Sequence, residues 1–397
     1  MMQISRLSPI LGSIILQSLL LVVGCGPDAD SPTAPELAPA LATTSNPLSF
    51  AQVSAGMSHT CGVTTASRLY CWGDNDYGQL GDGTTTQHFK PVAVAPTLRF
   101  RTVSVGGWYT CGVTTDHRAY CWGFNSGLLG DGTSTNRLTP VPVAGDRLFR
   151  RVHASDSHTC GVTYPDNKAY CWGSNGSGEL GDGTTTTRLS PVAVAGGRQF
   201  RQVNTGQFHT CGVTTSDVAF CWGWNRFGQI GDGTTLQRLT PSRVAGTRRF
   251  RQVDAGATFS CGVTTTDRAY CWGNGLAGQM GDGNTKLSSS PRAVAGGLSF
   301  DRVSTGEFQA CGETTNNRVY CWGWNRTGEV GDGSTSQRLT PVAVAGGRFY
   351  SQVSAGSGHT CGKTDLNLAY CWGDNDYGQL GDGTQADRLR PVAVVGP

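Results

Sequence analysis

The tripeptide Cys-Trp-Gly recurs at intervals of 50 residues, and this repeat constrains the fold more than any other feature. It begins at positions 71, 121, 171, 221, 271, 321 and 371. A unit of this length, repeated seven times, is typical of an array architecture. Within each unit, four short β-rich runs are separated by Gly, Asp and Pro turns, which predicts four β-strands per unit.

We predict that the units close into a seven-bladed β-propeller, an all-β fold of four-stranded blades with one repeat per blade. A linear stack would need polar capping repeats at both ends. The first unit, which begins at Phe50, and the seventh, which runs to Val395, are instead equally complete. Gly makes up 57 of 397 residues and only 38% of residues are hydrophobic, so we expect almost no helix.

The cysteines predict the register of the second and third strands. Placing Cys61 opposite Cys71 pairs Gly62 with Tyr70, which leaves room for the ring. In the third unit the two cysteines are 11 residues apart, whereas the other six pairs are 10 apart. We expect the extra residue to lie in the loop 164–167, because a slip within a strand would turn every side chain to the other face.

Fourteen of the 15 cysteines form hairpin pairs, and we predict that these pairs are disulfides. Directly opposed strand residues bring Cβ atoms to about 4.5–5.5 Å, somewhat wider than the disulfide range of about 3.5–4.5 Å. Metal binding and buried free thiols are the alternatives, but the C-x2-4-C spacing of zinc sites is missing. We expect no metal and no cofactor. The predicted pairs are Cys61–Cys71, Cys111–Cys121, Cys160–Cys171, Cys211–Cys221, Cys261–Cys271, Cys311–Cys321 and Cys361–Cys371.

The N-terminus has the pattern of a secretory signal peptide, with Arg6 followed by the apolar run 10–24. The run ends in Leu-Val-Val-Gly-Cys, which resembles the bacterial lipobox. We therefore predict a lipoprotein signal peptide over 1–24 and lipidation of Cys25. A plain signal peptide or a short membrane anchor is the alternative.

The segment 25–48 is rich in Pro, Ala and Thr and is predicted to be a flexible tether that precedes the propeller at 49–397. The expected location is the bacterial cell envelope, where the protein is lipid-anchored or secreted and meets the membrane through the lipid alone. Removal of Arg6 leaves 30 Lys and Arg against 28 Asp and Glu, a formal charge of +2. The sequence shows no Lys/Arg cluster, so we expect no binding of nucleic acid. We also expect a monomer.

Four segments of each unit resemble the repeat of the regulator of chromosome condensation family. They are G-x-x-H-T, Y-C-W-G, N-x-x-G-Q-L-G-D-G and P-V-A-V, and they recur over residues 50–397. The resemblance implies a seven-bladed propeller. The family's namesake is an exchange factor for the GTPase Ran and binds chromatin inside eukaryotic cells, so exchange-factor-like activity is an alternative here. A similar secreted bacterial protein inhibits β-lactamase by binding alone.

Two polar positions recur in the units. His59, His158, His209 and His359 share a position that other units fill with Tyr109, Phe259 and Gln309. A ring of metal ligands would not tolerate Phe, so we expect a half-buried side chain bonding a neighbouring turn, with a ligand or catalytic role as the alternative. The Asp of Gly81-Asp82-Gly83 recurs between glycines as a turn residue. Asp74 and Asp374 lie in Asp-Asn-Asp triplets that resemble calcium ligands but lack the spacing of an EF-hand loop.

The loops before the second strand and after the third strand are predicted to emerge on one face. Trp, Tyr and Arg are enriched in interface hot spots, so these loops predict a non-enzymatic scaffold that binds a protein or a glycan. Two alternatives remain: the rings tuck into grooves between blades, or a hydrolase or lyase site lies at the channel mouth. No acid/base pair departs from the repeat, which argues against an enzyme. The partner-binding candidates are Tyr77, Trp108, Phe124, Phe208, Trp224, Arg226, Phe227, Phe308, Trp324, Arg326 and Tyr377.

Overall fold

A computed structural model of the protein describes residues 48–397. This range contains 28 β-strands and no helix, and hence no helix long and apolar enough to cross a membrane. The signal peptide predicted over 1–24, Cys25 and the tether up to residue 47 lie outside the described residues.

The strands form seven sheets of four. The first strands are β1 (Phe50–Ala55), β5 (Phe100–Val105), β9 (Phe149–Ala154), β13 (Phe200–Thr205), β17 (Phe250–Ala255), β21 (Phe300–Thr305) and β25 (Tyr350–Ala355). The second strands are β2 (His59–Thr64), β6 (Tyr109–Thr114), β10 (His158–Thr163), β14 (His209–Thr214), β18 (Phe259–Thr264), β22 (Gln309–Thr314) and β26 (His359–Thr364). The third strands are β3 (Leu69–Gly73), β7 (Ala119–Gly123), β11 (Ala169–Gly173), β15 (Ala219–Gly223), β19 (Ala269–Gly273), β23 (Val319–Gly323) and β27 (Ala369–Gly373). The fourth strands are β4 (His88–Val94), β8 (Arg137–Pro142), β12 (Arg188–Ala193), β16 (Arg238–Arg243), β20 (Ser288–Ala293), β24 (Arg338–Ala343) and β28 (Arg388–Ala393).

Each sheet pairs its four strands in chain order, so one sequence repeat builds one blade. The first strands line a central channel and the fourth strands form the outer edges of the sheets. This is the seven-bladed propeller that the repeat predicted, and it is confirmed by the structure.

The predicted register of the second and third strands is confirmed. Cys61 lies opposite Cys71 and Gly62 lies opposite Tyr70. The side chain nearest to a Cβ at Gly62 would be the Phe50 ring, at 2.5 Å, so the glycine makes room for a ring of the first strand and not, as predicted, for Tyr70. In the third blade the same pairing holds, and the extra residue falls in the turn between β10 and β11.

The hydrophobic core is divided into seven clusters, one at each junction between neighbouring blades. Between the first and second blades, the disulfide face that carries Cys71 packs against the face that carries Trp122. Between the seventh and first blades, Cys371 and Trp72 occupy the same positions in an equivalent cluster. Burial of large apolar side chains at every junction therefore closes the ring.

Backbone hydrogen bonds also join each blade to the next around the whole ring. The Gly83 N–H donates to the carbonyl of Leu138 in the next blade at 3.0 Å, and an equivalent bond occurs at every junction. At the seam of the ring, the Gly383 N–H donates to the Phe89 carbonyl at 3.0 Å. The seam is thus built like the other six junctions.

Candidate functional site

The tryptophan of each Cys-Trp-Gly triplet holds a junction together. The Trp122 indole N–H donates to the Gln79 carbonyl of the preceding blade at 3.0 Å, and the Thr110 hydroxyl donates to the same oxygen at 2.9 Å. Gly81 adopts a φ of +77°, and a Cβ there would lie 2.4 Å from Trp122 Nε1. These repeated residues are therefore structural and do not form a site.

The four repeated histidines are fully buried and bond to a hydroxyl in the next blade. Nε2 of each ring lies 2.6–2.8 Å from that hydroxyl. The expectation of a half-buried ring bonding a turn was wrong in both respects, because the partner lies in the second strand of the neighbouring blade. Burial lowers the pKa of each ring to about 3, so the rings are neutral at physiological pH. The pairs are His59–Thr110, His158–Thr210, His209–Ser260 and His359–Thr60.

The exceptions at this position support a structural role. The Tyr109 hydroxyl lies 2.8 Å from the Thr159 hydroxyl and replaces the histidine bond. Phe259 has no polar atom to offer, and the next blade carries Ala310 where the other six carry Thr or Ser. The ring nitrogen and its hydroxyl partner are thus lost together at this junction.

The aspartates between glycines are turn residues, as predicted. Asp131 accepts hydrogen bonds from the Thr133 N–H at 3.0 Å and hydroxyl at 2.8 Å, and it pairs with Arg137 at 2.9 Å. Burial would raise the pKa of Asp131, but these bonds outweigh it and hold the pKa below its ordinary value.

The structure joins the fourteen paired cysteines as seven disulfides, with the predicted partners. Each disulfide links the second and third strands of one blade, and its sulfur atoms lie within a junction core. The disulfides therefore fix hairpins, while the ring is closed by packing and hydrogen bonds.

The two loops that supply the partner-binding candidates lie at one end of the propeller. The Asp74 N–H donates to the Ser58 carbonyl at 2.9 Å, which joins the loop after the third strand to the loop before the second. We call this end the aromatic face; it consists of the loops 56–58 and 74–78 and their equivalents in the other blades.

Most of the candidate rings on the aromatic face pack into three clusters. In the first cluster the centroids of Tyr77 and Phe124 are 5.2 Å apart; in the second, those of Trp224 and Phe227 are 5.3 Å apart. The guanidinium of Arg326 lies 5.5 Å from the Trp324 ring in the third. The clusters are Tyr77, Trp108 and Phe124; Phe208, Trp224 and Phe227; and Phe308, Trp324 and Arg326. Arg226 and Tyr377 are exposed and make no aromatic contact with these clusters among the described residues.

The rings of these clusters are partly exposed to solvent. Trp108 is 38% exposed and Trp324 is 37% exposed, whereas Trp224 is half-buried between two phenylalanines. Phe124 also packs against the junction core between the second and third blades, but the other rings of these clusters do not belong to the junction cores. They pack against one another at the surface and present their outer edges.

Aromatic pairs occupy every second blade, a feature that the sequence analysis missed. At the two repeat positions involved, the even blades carry Trp108 with Phe124, Phe208 with Trp224, and Phe308 with Trp324. The odd blades carry Ser58 with Asp74, Ser157 with Ser174, Thr258 with Asn274, and Gly358 with Asp374. A comparison of units 100 residues apart would have shown this alternation.

The channel opens at the centre of the aromatic face. A cavity of about 110 Å³ at this mouth is lined by the loops between first and second strands, including Asp156 and Glu307. Burial raises the pKa of Asp156 to about 6, and the charge of Glu307 adds to the shift. The repeat places Gly107 and Ala257 at the same position in other blades. The expectation that no acid pair departs from the repeat was therefore wrong.

The opposite end of the channel gathers basic residues that are scattered in sequence. A cavity of about 670 Å³, which we call the basic cavity, is lined by Arg101, Arg151, Arg201, Arg251, Arg302 and Lys363. Each of these residues comes from a different blade. The interpretation that the chain has no Lys/Arg cluster was wrong, because residues about 50 apart in sequence converge at one end of the ring.

The two Asp-Asn-Asp triplets differ in the structure. Asp74 accepts a hydrogen bond from the Gln79 amide at 2.9 Å. Asp374 and Asp376 lie within 4.8 Å of Asp387, which the sequence did not single out. Asp387 accepts a hydrogen bond from the backbone N–H of residue 375 at 2.9 Å. Local loop bonds account for this acidic group.

Comparisons with known proteins agree with this architecture. The family model described as RCC1-like domain matches residues 23–299, and the model of the regulator of chromosome condensation (RCC1) repeat matches 316–362 and 367–397. The human E3 ubiquitin-protein ligase HERC2 is 50% identical over 42 residues, which are 11% of this chain. The matched segment is 1% of the length of that ligase.

Two solved structures show the same fold at low sequence identity. Human WBSCR16 superposes with a TM-score of 0.75 at 18% identity, covering 83% of this chain and 94% of that chain. Prp20p from Saccharomyces cerevisiae superposes with a TM-score of 0.74 at 20% identity, covering 87% of each chain.

Proposed function

The chain belongs to the family of RCC1-like domains, and from this premise we propose that it is a non-enzymatic scaffold that binds a protein partner through the aromatic face. The observation that carries the proposal is the set of three partly exposed aromatic clusters, each built around the aromatic pair of an even blade. Prp20p, which shares the fold, has binding properties toward Gsp1p and histones. Binding of proteins by a propeller of this kind therefore has a precedent.

The chemistry of the aromatic face supports recognition of a partner. Contiguous exposed apolar groups on a soluble domain mark interaction sites, and Trp and Tyr provide large contact areas with few rotatable bonds. Arg326 over the Trp324 ring adds a charged group at the edge of the third cluster. Because the rings already pack on one another, they are ordered before a partner arrives, which reduces the entropy lost on binding.

The proposal is tested with a variant that combines Trp224→Ala and Trp324→Ala. Captured proteins from whole-cell extract would be quantified by mass spectrometry, and the affinity of the identified partner would then be measured. We expect the double variant to bind at least about 30-fold more weakly, since the loss of even one hot-spot residue costs about 2 kcal/mol or more.

Two control variants distinguish the loss of aromatic cluster side chains from a general loss of exposed apolar surface. Leu276→Ala alters a 63% exposed residue of an odd blade on the same face, and Leu366→Ala alters an 80% exposed residue at the opposite end. Both should bind as the wild type does. Undiminished capture by the double variant would exclude the aromatic face as the binding surface.

A glycan is the alternative ligand for this face, since aromatic side chains also stack on sugar rings. Treatment of the extract with a protease before capture distinguishes the two. Loss of the captured material after proteolysis supports a protein partner, and capture that survives proteolysis supports a glycan.

We further propose that the propeller is displayed outside the cytoplasm on a lipid attached to Cys25. Seven disulfides, which persist in oxidising compartments, support the compartment. Intact-mass spectrometry should find an acyl adduct on Cys25 and a loss of 14 hydrogens on disulfide formation, whereas Cys25→Ser should be released from membranes. Free thiols at the paired positions would contradict this compartment.

Asp156 and Glu307 favour a second candidate function, a hydrolase at the mouth of the channel. Two carboxyl groups whose pKa values are raised by burial could act as acid and base. In that case Asp156→Asn or Glu307→Gln would abolish turnover of a captured substrate. A binding scaffold would keep full capture in both variants.

A further inference from the structure

The basic cavity lies at the end of the channel opposite the aromatic face and has no role in the proposed function. Its volume of about 670 Å³ falls in the range of small-molecule sites. The repeat would tolerate neutral residues there, because the first strand presents Gln52 at the position that holds Arg151 and Arg302 in other blades. Arg151 and Arg302 are thus departures from the repeat, and they converge on a space that Arg101, Arg201 and Arg251 also line.

The charges in this cavity are only partly compensated. Arg251 forms ion pairs with Asp267 and with Asp301, the latter at 3.1 Å, and Arg201 forms an ion pair with Asp217. The acidic residues Asp254, Asp301 and Glu313 also line the cavity. Within residues 48–397, Arg151 and Arg302 have no carboxylate at ion-pair distance. A guanidinium group left without a partner inside a cavity is available to an anionic ligand.

Mutual repulsion among the arginines points the same way. Arg151 is exposed within the channel, and its desolvation there, followed by the positive charges of Arg302, Arg150, Arg101 and Arg201, lowers its pKa. Glu313 lies directly opposite Arg302 on the neighbouring strand, and it accepts a hydrogen bond from the Val353 N–H. Burial raises the pKa of Glu313 to about 7, which weakens it as a counter-ion.

We propose that the basic cavity binds a compact oxyanion with several negative charges, of the polyphosphate or polycarboxylate class. Arginine forks bond such groups through two parallel N–H donors. The cavity at the far mouth of the channel is smaller, about 110 Å³, and carries Asp156 and Glu307. An anion that enters from the basic end therefore meets acidic groups before it can pass, which favours a short ligand held in the cavity over a chain that threads the ring.

Calorimetric titration of the intact protein with tripolyphosphate, and in parallel with citrate, tests the proposal at about 150 mM salt. We expect Arg151→Gln and Arg302→Gln each to weaken binding by about tenfold, as expected for loss of a charge-assisted hydrogen bond. Binding of citrate in preference to tripolyphosphate would assign the carboxylate class within the same site.

Arg118→Gln is the matched control, because it removes one arginine at the same end of the propeller. Arg118 pairs with Asp116 and does not line the cavity. Thermal unfolding of each variant verifies that it folds.

The proposal is overturned if neither anion binds the wild type at millimolar concentration, or if Arg118→Gln weakens binding as much as Arg151→Gln does. Binding of duplex DNA that all three substitutions weaken equally would also overturn it, since that pattern indicates diffuse surface charge. Capture by the aromatic face is measured separately, so either idea can fail alone.

Discussion

Trp322 lies in strand β23 and Trp324 directly follows the end of that strand, yet the two side chains belong to different regions of the molecule. Trp322 is fully buried at a junction, where its indole donates to the Gln279 carbonyl at 2.9 Å and packs near Phe300. Trp324 lies on the aromatic face and is partly exposed. The first position is Trp in all seven blades, whereas the second is Trp in only two.

The difference shows how this fold separates stability from recognition. Residues at the junctions repeat because each must fit a neighbouring blade that is itself a copy of the same unit. Residues at the two ends of the ring face solvent, so the fold does not require them to agree between blades. Variation between repeats therefore marks the surfaces that are available for binding.

The largest expected effect comes from truncating the two tryptophans one at a time. Trp322→Ala should lower the free energy of unfolding by about 4 kcal/mol, because it empties a packed junction and removes a buried hydrogen bond. Trp324→Ala should lower it by less than about 1 kcal/mol. Guanidinium unfolding of the oxidised protein measures both. Equal losses would show that the aromatic face is part of the core.

A glycine pair gives the next largest contrast. Gly231 has a φ of +75°, and a Cβ there would lie 2.5 Å from Trp272 Nε1, whereas a Cβ at Gly176 would meet no atom within 4 Å. Gly231→Ala should cost about 3 kcal/mol through backbone strain and overpacking. Gly176→Ala should change stability by less than about 0.5 kcal/mol. The same unfolding measurement applies, and a stable Gly231→Ala variant would mean that the junction can shift.

The junction between the fifth and sixth blades suggests a double-mutant cycle elsewhere. His158→Phe and Thr210→Ala together reproduce the natural combination of Phe259 and Ala310. Thr210→Ala alone leaves the buried Nε2 of His158 without its partner, whereas the Thr210 hydroxyl keeps its bond to the Glu179 carbonyl when His158 is replaced. The double variant has no unpaired nitrogen, so we expect it to cost at least about 1 kcal/mol less than the sum of the singles. Additive losses would mean that the 2.6 Å contact between His158 and Thr210 contributes little.

The sequence predicted the junction region well and the ends poorly, for a physical reason. Residues that recur in every repeat are predicted to be buried, and the spacing of Cys61 and Cys71 predicts the register of the hairpin that joins them. The ends depend on which residues of different blades meet across the channel. Arg151 and Arg302 are 151 residues apart, and a search for runs of basic residues cannot detect them.

Contacts between different blades also explain why the partners of the histidines and the acidic pair at the channel mouth were not predicted. The polar partner of His59 lies in the next blade, so nothing within its own repeat reveals it. Asp156 and Glu307 are single departures in different units, and only the ring brings them to one mouth. The aromatic candidates were found because their loops are adjacent within each blade, but their alternation was not.

The smallest predicted effect concerns the charge at the channel mouth. Burial and the neighbouring Glu307 raise the pKa of Asp156 from 3.8 to about 6 in the folded protein. The folded state therefore binds the proton more tightly than the unfolded state, and the penalty for the charged carboxylate develops as the pH rises from about 4 to about 6. Asp156→Asn removes that penalty.

Asp156→Asn should therefore raise the free energy of unfolding at pH 8 and leave it nearly unchanged at pH 4. A shift of two pKa units corresponds to about 3 kcal/mol, but solvent screening at an open mouth reduces the expected gain to about 1 kcal/mol. Asp76→Asn, at an exposed carboxylate on the same face, is the control and should show no such gain. A gain of equal size at both pH values would assign the effect to packing, and the mouth would then resemble the junctions in being set by fit rather than by charge.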